Sequence, residues 1–287
     1  MHWGDRRARF RAVLEGGKCV HPGSVFDPVS ARIAEEVGFE TMMFAGSVGS
    51  HAVLGAPDLI VLTLTEFADQ AYRINRAGSL PLLVDADHGY GNALNVKRTV
   101  EELETAGVAA LTIEDTDLPE PFGAGGKARL IPIEEGVGKM KAALAGRQDP
   151  ALCVCGRTSA PSIAGMEEAV KRAKAYEAAG VDAMFLSGVK TLDELDAVAG
   201  AVKIPLILGG GSPGLGTLDD LAARNVRVCL QGHHPFMASV QATYDTLKAL
   251  RDGVKPADLP RVASGDTMKR LLRDGDYRSW MKEFLGG

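Results

Sequence analysis

Asp85 and Asp87 close an apolar run that reads Leu80-Pro-Leu-Leu-Val-Asp-Ala-Asp. Residues two apart on a strand point to the same face, so this spacing brings both carboxylates together. Glu114 ends a similar run, Leu111-Thr-Ile-Glu, on what reads as the neighbouring strand. Three carboxylates held close together repel, and their pKa values climb unless a cation sits among them. Only oxygen ligands are on offer, which suits Mg²⁺, with Mn²⁺ as the alternative. Mg²⁺ keeps much of its water, so one carboxylate would bind directly and the others through water. The competing reading makes these acids helix caps or rim ion pairs, and the addition of Glu114 weakens it.

Other residues suit the same chemistry. Arg157 ends an otherwise apolar run and can clamp a carboxylate in a bidentate fork, or can pair with Glu114 or an Asp for structural reasons. Gly46-Ser47-Val48-Gly49-Ser50 reads as a small-residue turn whose N–H groups and hydroxyl can hold an oxyanion. His233 and His234 follow the last apolar run, and adjacent strand-end residues point opposite ways, so one of them should face the site. His51 and His88 carry no independent signal. Residues 116–131 are rich in Gly and Pro and long for a strand-to-helix connection, so they read as a lid or as a plain surface insertion.

These residues need a frame that gathers them, and a repeated pattern supplies one. Amphipathic stretches ending in Gly or Asn alternate with short apolar runs, as in Glu177-Ala-Ala-Gly-Val-Asp-Ala-Met-Phe-Leu. Gly tolerates the left-handed conformation just past a helix end, and a run that is apolar throughout suits a parallel strand covered on both faces. Eight such runs occur, within 19–26, 35–46, 80–87, 104–115, 152–158, 177–188, 204–210 and 222–232. Intervening helices are expected at 28–37, 65–78, 93–106, 133–145, 165–179, 191–201 and 217–224, with further helices at 235–251 and 265–284, the latter broken near Gly275. Eight units without a long linker predict an α/β fold: one (β/α)8 TIM-type barrel spanning 1–287, with extra C-terminal helices from about 252 as an appendage. No G-x-G-x-x-G follows the first run, which argues against an open dinucleotide-binding sheet. In a barrel the chemistry sits at the C-terminal strand ends, where the residues above fall.

The totals narrow the function classes. With 32 Lys and Arg against 37 Asp and Glu, the chain carries a formal charge of −5 and has no basic footprint for nucleic acid. The four cysteines include no C-x-x-C pair, so they read as reduced core residues rather than a zinc site. The basic N-terminus lacks the continuous apolar stretch of a signal peptide, and no run is long enough for a membrane span, so the expected location is cytoplasmic.

Taken together, the segments resemble the phosphoenolpyruvate mutase/isocitrate lyase superfamily from about residue 19 to 250. The resemblance is carried by SVFDPVSARIAEEVGFE, FAGSVGS, the APD at 56–58, VDADHGYGNALNV, TIEDTDLP, IEEGVGKMKAAL and GRTSA. It implies Mg²⁺ and an α-oxycarboxylate substrate passing through an enolate-like state. By the same resemblance Asp85 is the direct metal ligand, with Asp58, Asp87 and Glu114 acting through water. Ser47 and its backbone hold the substrate, and Arg157 clamps it. The superfamily's lyases carry an acid/base Cys in the loop after the fourth strand; here that loop reads PEPFGAGGKARL, without Cys. The Lys-Asn-Ser lid of the phosphonomutases is missing too. Gln231-Gly232-His233 is similar to a segment of the bacterial oxaloacetate decarboxylase branch, whose histidine orients substrate. The implied activity is therefore decarboxylation of oxaloacetate to pyruvate and CO₂, with a small 2-oxo dicarboxylate as the partner molecule. Alternatives are a methylisocitrate- or dimethylmalate-type lyase, a phosphonomutase-type isomerase, or a non-catalytic 2-oxo acid binder. Ser159 stands where the branch usually has Asn, and Gly209 to Gly211 make the seventh-strand loop unusually glycine-rich. The resemblance also implies a homo-oligomer, a dimer of dimers with the eighth helix swapped. Met268, Leu271, Leu272, Tyr277, Trp280 and Phe284 are compatible with a buried helix contact.

Overall fold

A computed structural model describes residues 2–286. Its eight parallel strands are β1 (Gly23–Ser24), β2 (Met42–Phe44), β3 (Leu82–Asp85), β4 (Ala110–Glu114), β5 (Cys153–Thr158), β6 (Ala183–Leu186), β7 (Leu206–Leu208) and β8 (Val226–Cys229). They pair in sequence order, β1 through β8. Val20, just ahead of β1, forms a parallel bridge to Val228, with Val20 N–H donating to Arg227 O at 2.9 Å and Cys229 N–H donating to Val20 O at 3.0 Å. That bridge joins the last strand to the first, so the sheet is the expected (β/α)8 barrel.

Helices run between successive strands, including Leu64–Asn75, Ala93–Thr105, Ile133–Gly146 and Met166–Ala179. Strands β2, β3, β4 and β6 are buried along their whole length, as strands covered on both faces must be. All four cysteines are buried with free thiols, and burial pushes Cys19 and Cys153 up to about 12, so none is poised as a thiolate.

The N-terminus holds a feature the sequence pattern hid. Trp3–Glu15 is a helix, capped by His2 and Asp5, that lies across the N-terminal ends of the strands. Its arginines bind carbonyls there: Arg6 donates to Gly78 O at 2.6 Å, Arg7 to Val108 O at 3.0 Å, and Arg11 to Ala151 O at 3.0 Å. Its apolar positions are scattered because long Arg stems supply much of the contact, and Arg6 and Arg7 are themselves buried. The C-terminal helix break falls at Arg273, which has a φ of 59°, between Gly265–Leu271 and Asp274–Leu285. Gly275 lies inside the following helix.

The contacts divide the chain after His233. One compact unit runs to His233 and holds the eight strands, and a second, helical one begins at His234. Within that unit, helix His234–Arg251 buries none of its residues, and Tyr277 packs edge-on against Trp280 with ring centroids 5.1 Å apart. No helix among the described residues is long and apolar enough to cross a membrane.

Phe10 is fully buried in the N-terminal helix. Phe10→Ala should therefore cost about 3–5 kcal/mol, the usual price of a large core deletion. Urea denaturation would read this as a lower midpoint, and an unchanged midpoint would show that the helix does not hold the barrel floor.

Candidate functional site

The strand register decides which side chains meet. Asp85 is level with Thr112, Glu114 with Arg157, and Arg157 with Phe185. Level residues on parallel neighbours face the same way, so β3 to β6 deliver a carboxylate, a second carboxylate, a guanidinium and a ring to one mouth of the barrel. There they line a cavity of about 300 Å³ together with Ser47, Asp58, Asp87 and His233. All seven residues singled out from the sequence reach this cavity.

Asp87 arrives by a different route from the one expected. β3 ends at Asp85, and Asp87 sits beyond it in a left-handed turn with a φ of 48°, followed by Gly89 at 80° and Tyr90 at 61°. Convergence of the two aspartates thus comes from this turn rather than from strand alternation. Such a conformation is costly for a non-glycine residue and is kept where the surroundings enforce it. The Asp87 carboxylate lies against the backbone of Gly46, where a Cβ would come within 2.5 Å of Oδ1. Only glycine at 46 leaves room for that carboxylate.

Arg157 sits among the acids. Its guanidinium pairs with Asp85, lies 3.6 Å from Glu114 Oε2, and stacks over the Phe185 ring at 5.4 Å. Asp85 Oδ1 also accepts from Thr112 Oγ1 at 2.9 Å and from Asp87 N–H at 3.2 Å, while Glu114 Oε2 accepts from Thr116 Oγ1 at 2.8 Å. Burial, reinforced by Asp85 and Glu114, holds the Asp87 carboxyl well above the usual carboxylate range. Burial also raises Glu114, against the opposing pull of Arg157, and burial with the Asp85 charge raises Asp58. For Arg157 burial disfavours the charge, but Asp85 and Glu114 more than offset it and the pKa rises. One guanidinium thus shares the lining with five carboxylates, those of Asp58, Asp85, Asp87, Glu114 and Glu120, which leaves the cavity short of positive charge.

A hard divalent cation fits that deficit. The donors are all carboxylate oxygens, and the raised Asp87 and Glu114 are what a cation would reverse. Among the described residues no three acidic, imidazole or thiol groups form a ready cage for a metal. The arrangement therefore fits an ion that touches few side chains directly and reaches the rest through water, the habit of Mg²⁺.

Beside Asp87, Gly46–Gly49 is the first turn of a helical segment that continues through Ser50–Leu54, rather than the free turn expected. Ala45 and Ser47 line the cavity at its N-terminal end, where backbone N–H groups favour an anion. His233 lines the cavity too, with its Nδ1 2.9 Å from Ser24 Oγ at the end of β1. His234 begins the next helix and is not part of the lining.

Several lining residues went unnoticed in the sequence. Phe185 lies on β6 and Ser187 just past its end, where Leu186-Ser187-Gly188 carries the same signal as the other strand ends. Leu59 and Ile60 lie beside Asp58, and Ile60 has a φ of 58°, a strained value for a β-branched residue. Leu118 and Glu120 come from the 116–131 loop, whose base is a hairpin-like bridge between Thr116 and Leu130. Ser159 is absent from the lining, and its carbonyl accepts from Ser162 Oγ at 3.0 Å.

A parallel barrel with an acidic, cation-seeking cavity, one guanidinium and an anion-holding helix start defines a class: barrel proteins that handle small anionic substrates at their C-terminal rim. Residues 10–251 match the family described as Phosphoenolpyruvate phosphomutase, and the chain belongs to that family. It is 54% identical to an oxaloacetate decarboxylase of Bradyrhizobium diazoefficiens over 286 residues, covering 100% of this chain and 99% of that protein. Among solved structures it is similar to a phosphoenolpyruvate phosphomutase from Streptomyces platensis subsp. rosaceus, with 28% identity, a TM-score of 0.86, and coverage of 97% of this chain and 99% of that one. It is similar also to a phosphonopyruvate hydrolase in complex with oxalate and Mg²⁺, with 32% identity, a TM-score of 0.85, and coverage of 98% and 99%.

The charge imbalance has a measurable consequence. A buried carboxyl with a raised pKa lends the fold stability that is present at low pH and lost as pH rises through the folded value. In EDTA the protein should lose stability as pH climbs from about 4 towards neutral. Asp87→Asn should stabilise the metal-free protein at neutral pH by on the order of 1 kcal/mol, read as a higher thermal midpoint, and should shrink the further rise on adding Mg²⁺. A lower midpoint for Asp87→Asn in EDTA would contradict this account of the cavity.

Proposed function

We propose that this protein is a Mg²⁺-dependent lyase that decarboxylates oxaloacetate to pyruvate and CO₂. The observation that carries the reading is the composition of the cavity: five carboxylates, Arg157 and His233, with no cysteine in its lining. Carbon–carbon cleavage of a branched hydroxy acid by the superfamily's thiol route needs an acid/base Cys, and the four thiols here are buried in the barrel. Full-length similarity to oxaloacetate decarboxylases supports the same choice of reaction. The phosphonopyruvate hydrolase described with oxalate and Mg²⁺ supports the choice of ion.

The residues divide the work. Asp85 would hold the ion directly, with Asp58, Asp87 and Glu114 holding its waters. When bound, the ion supplies Lewis-acid polarisation of the 2-oxo group. Ser47 and the neighbouring N–H groups receive the carbon-1 carboxylate. The bond between carbons 3 and 4 breaks, CO₂ departs, and the electron pair shifts towards the carbon-2 oxygen. Arg157 lies where that charge develops and is already held in place by Asp85 and Phe185, so little reorganisation is needed. His233, steadied by Ser24, orients the distal carboxylate and can return a proton to carbon 3. Met43, Leu59, Ile60, Leu118 and Leu230 form an apolar wall that limits solvation of the departing carboxylate. No organic cofactor is required. Assembly into a homo-oligomer belongs to the same proposal, supported by the exposed apolar side chains Met237, Tyr244, Leu247 and Phe284 of the C-terminal unit.

Oxaloacetate consumption followed with Mg²⁺ and with EDTA tests the activity. Turnover should depend on the ion, and a rate at the spontaneous background under both conditions would sink the proposal. Asp85→Ala should lower the rate by on the order of a thousandfold, through loss of charge stabilisation worth several kcal/mol. His233→Ala should cost about a hundredfold through misplacement of the substrate. Unchanged kinetics for His233→Ala would remove that residue from the site.

A further inference from the structure

The geometry points to Lys139 as a positioning residue for Asp87, a role that rests on the reading of Asp87 as part of the metal-holding site. Lys139 belongs to helix Ile133–Gly146 and is 4% exposed. Its ammonium donates to the backbone carbonyl of His88, 2.9 Å away. A buried lysine is rare unless its charge meets a need, and here the need is the turn that carries Asp87.

The turn's backbone partners can be followed one by one. Asp87 N–H donates to Asp85 Oδ1 at 3.2 Å, and Asp87 O accepts from Glu114 N–H at 2.8 Å. His88 O accepts from Lys139, and Gly89 N–H donates to Ala86 O at 2.9 Å. Gly89 O accepts from Thr99 Oγ1 at 3.0 Å, and Thr99 is fully buried in helix Ala93–Thr105. Two side chains from two different helices therefore hold successive carbonyls of one turn. Without them those carbonyls would lie buried with no donor, a state that native proteins avoid. Asp87 keeps its left-handed backbone because the carbonyls of residues 87, 88 and 89 are each held by a donor. Lys139 is the charged member of that set. Burial lowers its pKa, and Glu135, Glu114, Asp115 and Asp117 act in the other direction to favour the charged ammonium.

The test compares Lys139→Met, which keeps the stem and removes the ammonium, with Thr99→Val, which keeps the shape and removes the hydroxyl. Hydrogen–deuterium exchange of the metal-free protein is followed on peptides covering 86–91. Both variants should speed exchange in these peptides by about tenfold or more, the scale expected when a buried carbonyl loses its donor, and leave those of β2 and β6 unchanged. Lys139→Met should also lower kcat with little change in KM, and that loss should nearly vanish in an Asp87→Asn background. Unchanged exchange at 86–91 in both variants would overturn the role. So would faster exchange spread evenly over the barrel, or a full-sized loss of kcat on top of Asp87→Asn. If the wild-type protein leaves oxaloacetate untouched, the proposed function fails, and the exchange measurement still judges Lys139 by itself.

Discussion

Five carboxylates and one guanidinium share the cavity at the barrel mouth, Asp85, Asp87 and Glu114 among them buried, and much of the rim is arranged to make that tolerable. Burying like charges together is expensive unless they are paired, hydrogen-bonded or neutralised. Arg157 pairs with Asp85 and lies near Glu114, Thr112 and Thr116 donate hydroxyls, and Asp87 is wedged against a glycine backbone. The remaining excess of negative charge is what a divalent cation would relieve. The same excess that costs the protein stability is thus what makes the cavity a cation site.

The layer beneath the rim continues this pattern. Asp115 follows Glu114 and is wholly buried, bonded to Arg172 at 2.9 Å and to Tyr176 Oη at 2.7 Å. Its own N–H donates to Arg157 O at 3.3 Å, and its carbonyl accepts from Ile131 N–H at 2.9 Å. One buried residue so ties the end of β4 to β5, to helix Met166–Ala179 and to the base of the 116–131 loop. Gly136 makes this possible, because a Cβ there would come within 2.2 Å of Tyr176 Oη. Two neighbouring acids in the sequence therefore do opposite work: Glu114 faces the cavity, and Asp115 anchors the wall behind it.

Nearly all of the architecture was legible in the sequence. A barrel of parallel strands needs apolar runs at regular spacing, and all eight were visible because both faces of each strand are covered. Asp85, Asp87, Glu114, Arg157 and Ser47 stood out because a charged or hydroxyl residue at the end of an apolar run breaks its pattern, whereas Asp58 came only from the family resemblance. The N-terminal helix was missed because its contacts are made by arginines reaching carbonyls, which leave no apolar periodicity. Ser187 and Phe185 were missed although their strand end carries the ordinary signal, whereas Leu59, Ile60, Leu118 and Glu120 sit on loops, where no period constrains side-chain direction.

By itself, then, the sequence determined the succession of strands and helices and the chemical character of the rim, since both follow from residue type and short-range spacing. Tertiary structure alone decided how the rim is used. Strand register set Glu114 level with Arg157 and Arg157 level with Phe185, a matter of pairing between segments some forty and thirty residues apart. The left-handed turn brought Asp87 to the cavity, held by donors from two separate helices. Closure through Val20 brought Ser24, after the first strand, beside His233, after the last. None of these can be read along the chain, because each depends on groups distant in sequence that meet only once the barrel has closed.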